Sequence, residues 1–466
     1  MIPPPQVHEA VRVNRLQIAK RVYDKLTGSG GIGRTFQGFS WLLADKLVTL
    51  GAALLVAIPI ARFLGPTDFG LLTFVNSFVA IMIPLSSVGL ENMVTRYLVE
   101  RRDDQGLVMG TVLFIRKAVG VIVVALFGLY CLFGPFPDDR MRFFAFLTIA
   151  AAVAGNASIF KNWFSANHQL RALAIANTCK TLVLSAWRLL LIYLDAPLSA
   201  FIYTVAFDLG TTGLIAWFAY SRVATERLQF SISTPLAREL LSKSWPLAIS
   251  SLAAALYLKL DVILLTSMSS PAEAGLYGAA ARLSEIWYFV PSLLMTAIFP
   301  TFLKIRRRGV KEYSNFLQDV LDVLAGTGML LAIFVTFAAP LIISILYGPS
   351  FARAADILSI HIWAGVFIFM RAVLSRWLIA EDLYFFSLLT HGSGAIVNIA
   401  LNLWLIPILG GKGAAISTLL SYSTSSYLSL CLSKKTRPMC WKMTLALFWP
   451  RRLPEVYNRL RLELKR

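Results

Sequence analysis

Twelve mostly apolar stretches run through this chain, at 39–61, 69–94, 107–132, 143–165, 172–194, 199–220, 245–267, 275–301, 317–346, 354–378, 384–407 and 413–432. A helix of about 20 apolar residues crosses the hydrocarbon core of a bilayer, and within lipid the backbone must satisfy its own hydrogen bonds. The pattern predicts an all-α polytopic membrane protein with about 12 transmembrane helices. Composition agrees, with 57% of the 466 residues hydrophobic and only 15% charged. Soluble chains run near 45–50% and 25%. On a soluble chain, a net charge of +19 would point to nucleic acid. On a chain this apolar it points first to topology, because Lys and Arg gather on the cytoplasmic side. Soluble nucleic-acid binders and secreted disulfide scaffolds are excluded. Cys131, Cys179, Cys431 and Cys440 show no CxxC spacing and read as small apolar packing residues.

Turn residues recur at Gly65-Pro66-Thr67-Asp68, Gly134-Pro135-Phe136-Pro137, Ser270-Pro271 and Gly348-Pro349-Ser350. These lie on alternate connections and so on one side of the membrane. The connections of the other side, with the N-terminal arm and the tail, carry 31 Lys and Arg against 5. That asymmetry predicts an even number of spans with both termini in the cytoplasm. Residues 1–38 hold no apolar signal core and read as a retained basic cytoplasmic arm. Residues 433–466 mix Trp441, Leu445, Leu447, Phe448 and Trp449 with basic residues, the composition of an interfacial tail drawn to anionic lipid.

Eight cations remain inside the spans: Lys46, Arg116, Lys117, Lys180, Arg188, Lys259, Arg282 and Arg371. Asp45, Asp208, Asp261 and Glu285 lie at comparable depth. Each ionisable group at the bilayer centre costs about 2.5–3.5 kcal/mol even on a lenient insertion scale. Such a set implies a wet interior or partners.

The chain also repeats itself. Residues 66–71 read Pro-Thr-Asp-Phe-Gly-Leu and residues 271–276 read Pro-Ala-Glu-Ala-Gly-Leu. Both join an odd span to the next. Duplication gives an N-terminal six-helix lobe at 39–222, a cytoplasmic linker at 223–244 and a C-terminal six-helix lobe at 245–432. Because six is even, the halves run the same way, and their pseudo-two-fold axis follows the membrane normal.

Four motifs carry a family resemblance. They are Arg62-Phe63-Leu64-Gly65-Pro66-Thr67-Asp68-Phe69-Gly70; Asp261 followed by Ala274-Gly275-Leu276-Tyr277-Gly278-Ala279-Ala280-Ala281-Arg282-Leu283; Leu346-Tyr347-Gly348 leading into Ala354-Ala355; and Asn398-Ile399-Ala400-Leu401-Asn402 followed by 406–415. In order and spacing the chain resembles the bacterial polysaccharide and O-antigen flippases. These belong to the superfamily shared by multidrug/toxin extruders, lipid II flippases and oligosaccharide-lipid flippases. The resemblance implies a two-lobed transporter of the bacterial inner membrane working by alternating access. Its cargo would be an undecaprenyl-diphosphate-linked oligosaccharide destined for exopolysaccharide, capsule or O-antigen. It also implies a cationic central cavity lined by the first two spans of each half.

Which residues serve is read from their chemistry. Arg binds a diphosphate bidentately and Lys as a point charge. Lys46, Lys259 and Arg282 are expected on the phosphates, with Arg116 and Arg371 as further cavity cations. Asp45, Asp261 and Glu285 would balance charge or couple H⁺ or Na⁺. The alternative is structural: Asp45 with Lys46, and Arg282 with Glu285 at i,i+3, would tie spans together. Asn398 and Asn402 share a helix face at i,i+4 and suit glycan contact or, more readily, interhelical hydrogen bonds. His361 and His391 read as packed imidazoles rather than relays.

No cofactor or metal spacing appears. The expected partners are the lipid-linked oligosaccharide and membrane lipid. The tail could offer a surface to a polymerase or glycosyltransferase of the same pathway. An H⁺- or Na⁺-coupled drug extruder is the alternative function, and the excess of buried cations disfavours it. An enzyme acting on the same lipid would need a long periplasmic loop for its chemistry, and every such connection here is short.

Overall fold

A computed structural model describes residues 31–156, 158–167, 169–224, 229–307 and 309–448. Most of the expected basic arm and the tail from 449 fall outside the described residues. So do the side chains of Asp45 and Lys46. Every regular element among the described residues is helical. The N-terminal half comprises α1 (Gly31–Ser87), α2 (Glu91–Glu100), α3 (Gln105–Phe133), α4 (Asp139–Ala154), α5 (Ser158–Ala166), α6 (Leu170–Tyr193) and α7 (Leu198–Val223). The C-terminal half comprises α8 (Thr234–Met268), α9 (Pro271–Glu285), α10 (Phe289–Arg306), α11 (Val310–Tyr347), α12 (Ala354–His361), α13 (Ala364–Ala380), α14 (Tyr384–Leu409) and α15 (Gly411–Ser426). A final helix, α16 (Arg437–Leu447), follows.

Nine segments among the described residues are long and apolar enough to cross a membrane. The first of them, Leu54–Ser87, holds parts of two crossings, because α1 is broken at Gly65 (φ 70°, ψ 174°). A positive φ there favours glycine, and Pro66 follows it into the next helix. Two further crossings are interrupted or short. Residues 271–306 run through a 3₁₀ turn at Ile286–Tyr288 between α9 and α10, and α15 has 16 residues. The chain is thus a multi-pass α-helical membrane protein with the six-plus-six order expected. Spans two and eight begin at Pro66 and Pro271, earlier than hydropathy suggests. Proline is pre-organised for the first helical position, and Ser270 caps α9 by accepting from the Glu273 amide at 3.2 Å.

The duplicated motifs meet each other. A Cβ placed on Gly70 would lie 1.8 Å from the Pro271 carbonyl oxygen, and one on Gly275 would lie 1.9 Å from the Pro66 carbonyl oxygen. Such reciprocal contact is the mark of a two-fold axis. Phe69, Phe74, Leu276, Tyr277 and Phe351 continue the contact as one apolar core joining both halves. A second core lies within the N-terminal half, around Leu98, Met109, Trp163 and Tyr220. The start of α8 docks there through Leu236 and Leu240, so the connection before it lies against the N-terminal half. The Ser233 amide donates to Thr111 Oγ1 at 3.0 Å, and Tyr97 donates to Glu239 at 2.6 Å.

Two of the four cysteines are not merely packing residues. Cys431 and Cys440 form a disulfide between the 3₁₀ segment Leu428–Leu432 and α16. The intervening turn, held by Thr436 Oγ1 donating to the Leu430 carbonyl at 2.7 Å, folds α16 back. Spacing alone does not reveal such a return. α16 buries Met439, Met443 and Ala446, while Trp441 is exposed. Lys442 donates to Ser314 Oγ on α11 at 2.7 Å.

Candidate functional site

Charged side chains of each half form an ion-paired group, and Arg282 reaches from one half toward Phe69, the neighbour of Gly70 in the other. On α6, Lys180 and Arg188 donate to the two oxygens of Asp208 on α7, at 2.7 and 3.0 Å. On the other half, Lys259 of α8 grips Glu285 of α9 with both carboxylate oxygens within 2.9 Å. Arg282 reaches across the interface, its guanidinium 5.8 Å from the centre of the Phe69 ring on α1. It lies within electrostatic reach of Arg188 from the opposite half and of Glu285. Three cations thus pair with two carboxylates, and Arg282 adds a fourth positive charge, a local surplus within the membrane-spanning segments.

This grouping differs from the sequence expectation in its pairing. Glu285 and Arg282 can share a helix face, but the carboxylate bonds Lys259 on the neighbouring helix instead. Lys180, Arg188 and Asp208 join the site, although spacing along one helix singles out none of them. Only the adjacency of consecutive spans, which usually pack side by side, points to Asp208 as their partner.

Asp261 stands apart from these cations. It is fully buried and its carboxylate is held by neutral donors from three other helices. Tyr277 Oη of α9 and Thr418 Oγ1 of α15 each donate to Oδ2 at 2.5 Å. Asn398 and Asn402 of α14 donate to Oδ1 at 2.9 and 2.5 Å. The i,i+4 asparagine face is thus used for interhelical bonding around a carboxylate. Both amides are fully buried, and the Asn402 amide oxygen has no hydrogen-bond partner among the described residues. Burying a carboxylate without a counter-cation is costly, and four charge-directed hydrogen bonds offset only part of that. The carboxylate and the unpartnered Asn402 amide oxygen suit a proton or a small hard cation.

The two further expected cavity cations, Arg116 and Arg371, do not join the central cluster, nor do His361 and His391. Arg116 is buried on α3, within electrostatic reach of Glu91. Arg371 on α13 donates to the Ser425 carbonyl in the last turn of α15. A cation there meets the negative end of the helix dipole. His361 is buried edge-on to Tyr277, with ring centres 5.5 Å apart, and His391 Nδ1 shares a 2.9 Å hydrogen bond with Tyr257.

Residues 35–306 match the family described as polysaccharide biosynthesis protein, which is more than half of the chain. The chain belongs to that family.

Other likenesses of the chain are more distant. It is 29% identical over 181 residues to the probable flippase AglR of Haloferax volcanii, and that match spans only 37% of either chain. It is 22% identical to the probable low-salt glycan biosynthesis flippase Agl15 of the same organism, over 79% of this chain and 77% of that one. Among solved structures it resembles the lipid II flippase MurJ in an inward closed conformation, with a TM-score of 0.66 at 14% identity, covering 87% of this chain and 90% of that one. An inward-facing multidrug resistance MATE family transporter aligns with a TM-score of 0.60 at 13% identity, over 88% and 96%. At these identities the structural likenesses establish the two-lobed fold alone. For the family member described here, the charged interface and the Asp261 cage are features of its own side chains.

Proposed function

We propose that this protein is a flippase for a polyprenyl-diphosphate-linked oligosaccharide, moving it from the cytoplasmic to the outer leaflet for cell-surface polysaccharide assembly. The observation that carries the reading is that Arg188 and Arg282, from opposite halves, lie within electrostatic reach of each other, in a group of four cations set against two carboxylates. A surplus of guanidinium and ammonium groups inside a membrane is complementary to a diphosphate. It repels the cationic cargo of a drug extruder. Membership of a polysaccharide biosynthesis family supports the same cargo class, and two relatives are named probable flippases. In a bacterial inner membrane, with both termini cytoplasmic as the bias of the basic loops favours, the polyprenyl would be undecaprenyl.

The work asked of the protein is desolvation. A hydrated glycan and a diphosphate lose their water in hydrocarbon without replacement. The charged interface supplies that replacement while the polyprenyl tail stays in lipid. Opening would then alternate between the sealed Gly70–Gly275 end and the end that bears the basic loops. The Asp261 cage joins α8, α9, α14 and α15. A proton or Na⁺ arriving there would change how tightly those helices hold together and so bias one state. No bond of the cargo is broken in this scheme, and the protein acts as a carrier.

The test is flipping of a fluorescent lipid-linked oligosaccharide in proteoliposomes. Arg282→Gln and Arg188→Gln are expected to lower the rate about tenfold or more, as for loss of a charge-assisted contact. Undiminished flipping in both variants, with altered efflux of an organic cation, would assign the protein to drug export instead.

A further inference from the structure

A small cavity lies away from the central cluster, between α10 and α13. It has a volume of about 220 Å³ and is lined by Tyr288, Ser292, Arg371, Ser375 and Arg376, among others. Two guanidinium groups border this small space. Neither arginine forms an ion pair among the described residues, and no carboxylate lines the cavity. The carboxylates nearest to its lining in sequence are already engaged: Glu285 by Lys259, and Glu381 by Arg306 and Tyr313. Arg371 is buried and spends one nitrogen on the Ser425 carbonyl. Its Nε and Nη2 have no hydrogen-bond partner. Arg376 keeps a 3.0 Å bond to Thr296 and stacks over Phe299, which fixes its position without neutralising it. Two like charges around one cavity repel each other, and buried unpaired donors are costly.

We propose that this cavity is a binding site for a phosphate-class anion, and that it receives the diphosphate of the lipid-linked cargo before the central cluster does. Guanidinium forks fit phosphate oxygens bidentately, and the hydroxyls of Ser292, Ser375 and Tyr288 supply further donors. The place in the fold suits an arrival station. Arg376 is four residues, or about 6 Å of helix rise, from the end of α13 at Ala380, and Arg371 is one to two turns deeper. That end belongs to the side bearing the basic loops. Tyr288 lies one turn beyond Glu285 on the same crossing, so one wall of the cavity stands about one helical turn from the Lys259–Glu285 pair. The role as an arrival station rests on the flippase reading; the anion site does not.

The experiment reads occupancy directly. Ser292 lines the cavity and is exposed. Ser292→Cys, in full-length protein lacking the exposed Cys179, is alkylated with a thiol reagent in zwitterionic nanodiscs. Pyrophosphate is expected to slow alkylation by about tenfold or more. Protection should vanish in Arg376→Gln and in Arg371→Gln but persist in Arg282→Gln. Arg371 also holds the end of α15, so Arg376→Gln carries the test if the Arg371 variant does not fold. Inorganic phosphate should protect more weakly than pyrophosphate. Protection by anionic phospholipid nanodiscs without added pyrophosphate, matching the pyrophosphate effect, would assign the cavity to membrane lipid and overturn the cargo role. Unchanged alkylation with pyrophosphate, or protection surviving Arg376→Gln, would overturn the anion site itself. A protein that protects Ser292→Cys normally yet flips no lipid-linked oligosaccharide would keep the anion site and lose the flippase reading.

Discussion

Gly70 and Gly275 occupy matching places in the two halves, and each lies against the proline carbonyl that opens the other's helix. No side chain fits there, since a Cβ on either glycine would come within 1.9 Å of that carbonyl oxygen. Gly278 adds a second approach, its Cβ position 3.0 Å from Thr73. The contact seals one end of the interface. Overpacking a tight contact costs about 1–3 kcal/mol, enough to shift a two-state equilibrium roughly 5- to 150-fold. Gly275→Leu is therefore expected to hold this end open. Thr73→Cys, labelled by an impermeant thiol reagent from the side opposite the basic loops, should react at least about fivefold faster in that background, while flipping falls. Equal labelling with and without Gly275→Leu would show that this contact is no gate.

The Asp261 cage separates two roles of one carboxylate. Asp261→Ala removes the acceptor of four buried donors from Tyr277, Thr418, Asn398 and Asn402, and breaking a buried charged network costs about 3–5 kcal/mol. Asp261→Asn keeps the shape and discards the charge, so the protein should still fold. If the cage binds Na⁺, salt-dependent gain in thermal stability, with Na⁺ compared against choline, should be present in the parent and absent in Asp261→Asn. A gain of the same size in both proteins would remove Na⁺ coupling from this site.

The spans were legible in the sequence because a bilayer imposes length and apolarity on each one separately. The repeat was legible from six residues, Pro66 to Leu71 against Pro271 to Leu276, because duplicated turns keep their turn chemistry. Asn398 and Asn402 declared a shared face by their i,i+4 spacing, and they do converge on one carboxylate. What spacing does not encode is choice among partners on other helices. Glu285 had Arg282 on its own face yet bonds Lys259. Asp261 sat two residues from Lys259 yet turns to neutral donors, because neighbours two apart point to different sides of a helix. Tyr277 and Thr418, the other half of that cage, carried no signal before the helices were packed. The Cys431–Cys440 bridge depended likewise on a turn.

Lys259 and Glu285 offer a clean reversal. Both are only partly buried, with side-chain exposures of 33% and 25%, so the pair contributes on the order of 1 kcal/mol after solvent screening. Glu285→Gln and Lys259→Gln should each lower thermal stability slightly, and the exchange Lys259→Glu with Glu285→Lys should restore it. The Coulombic partner is kept but Arg282 gains a cation on its own helix face three residues away. Flipping is therefore expected to stay below that of the parent although stability recovers. Full recovery of both would show that the pair acts only as a clamp between α8 and α9.

Asp208 gives the sharpest test of charge complementarity, because it neutralises cations without itself suiting an anionic cargo. It accepts from Lys180 and Arg188 together, and Thr212 shares Lys180 at 2.8 Å. Asp208→Asn leaves two partly buried cations without their counter-charge, at a cost of about 1–3 kcal/mol once their partial exposure is allowed for. It also increases the positive surplus facing the cargo. Apparent affinity for the diphosphate-linked substrate should then rise, while turnover falls because release from a more positive site is slower. Arg188→Gln removes a cation from the same group and should weaken affinity. Substrate-concentration series in proteoliposomes, read as apparent KM and maximal rate, separate these outcomes. If Asp208→Asn and Arg188→Gln move KM in the same direction, the cluster does not recognise its cargo by charge.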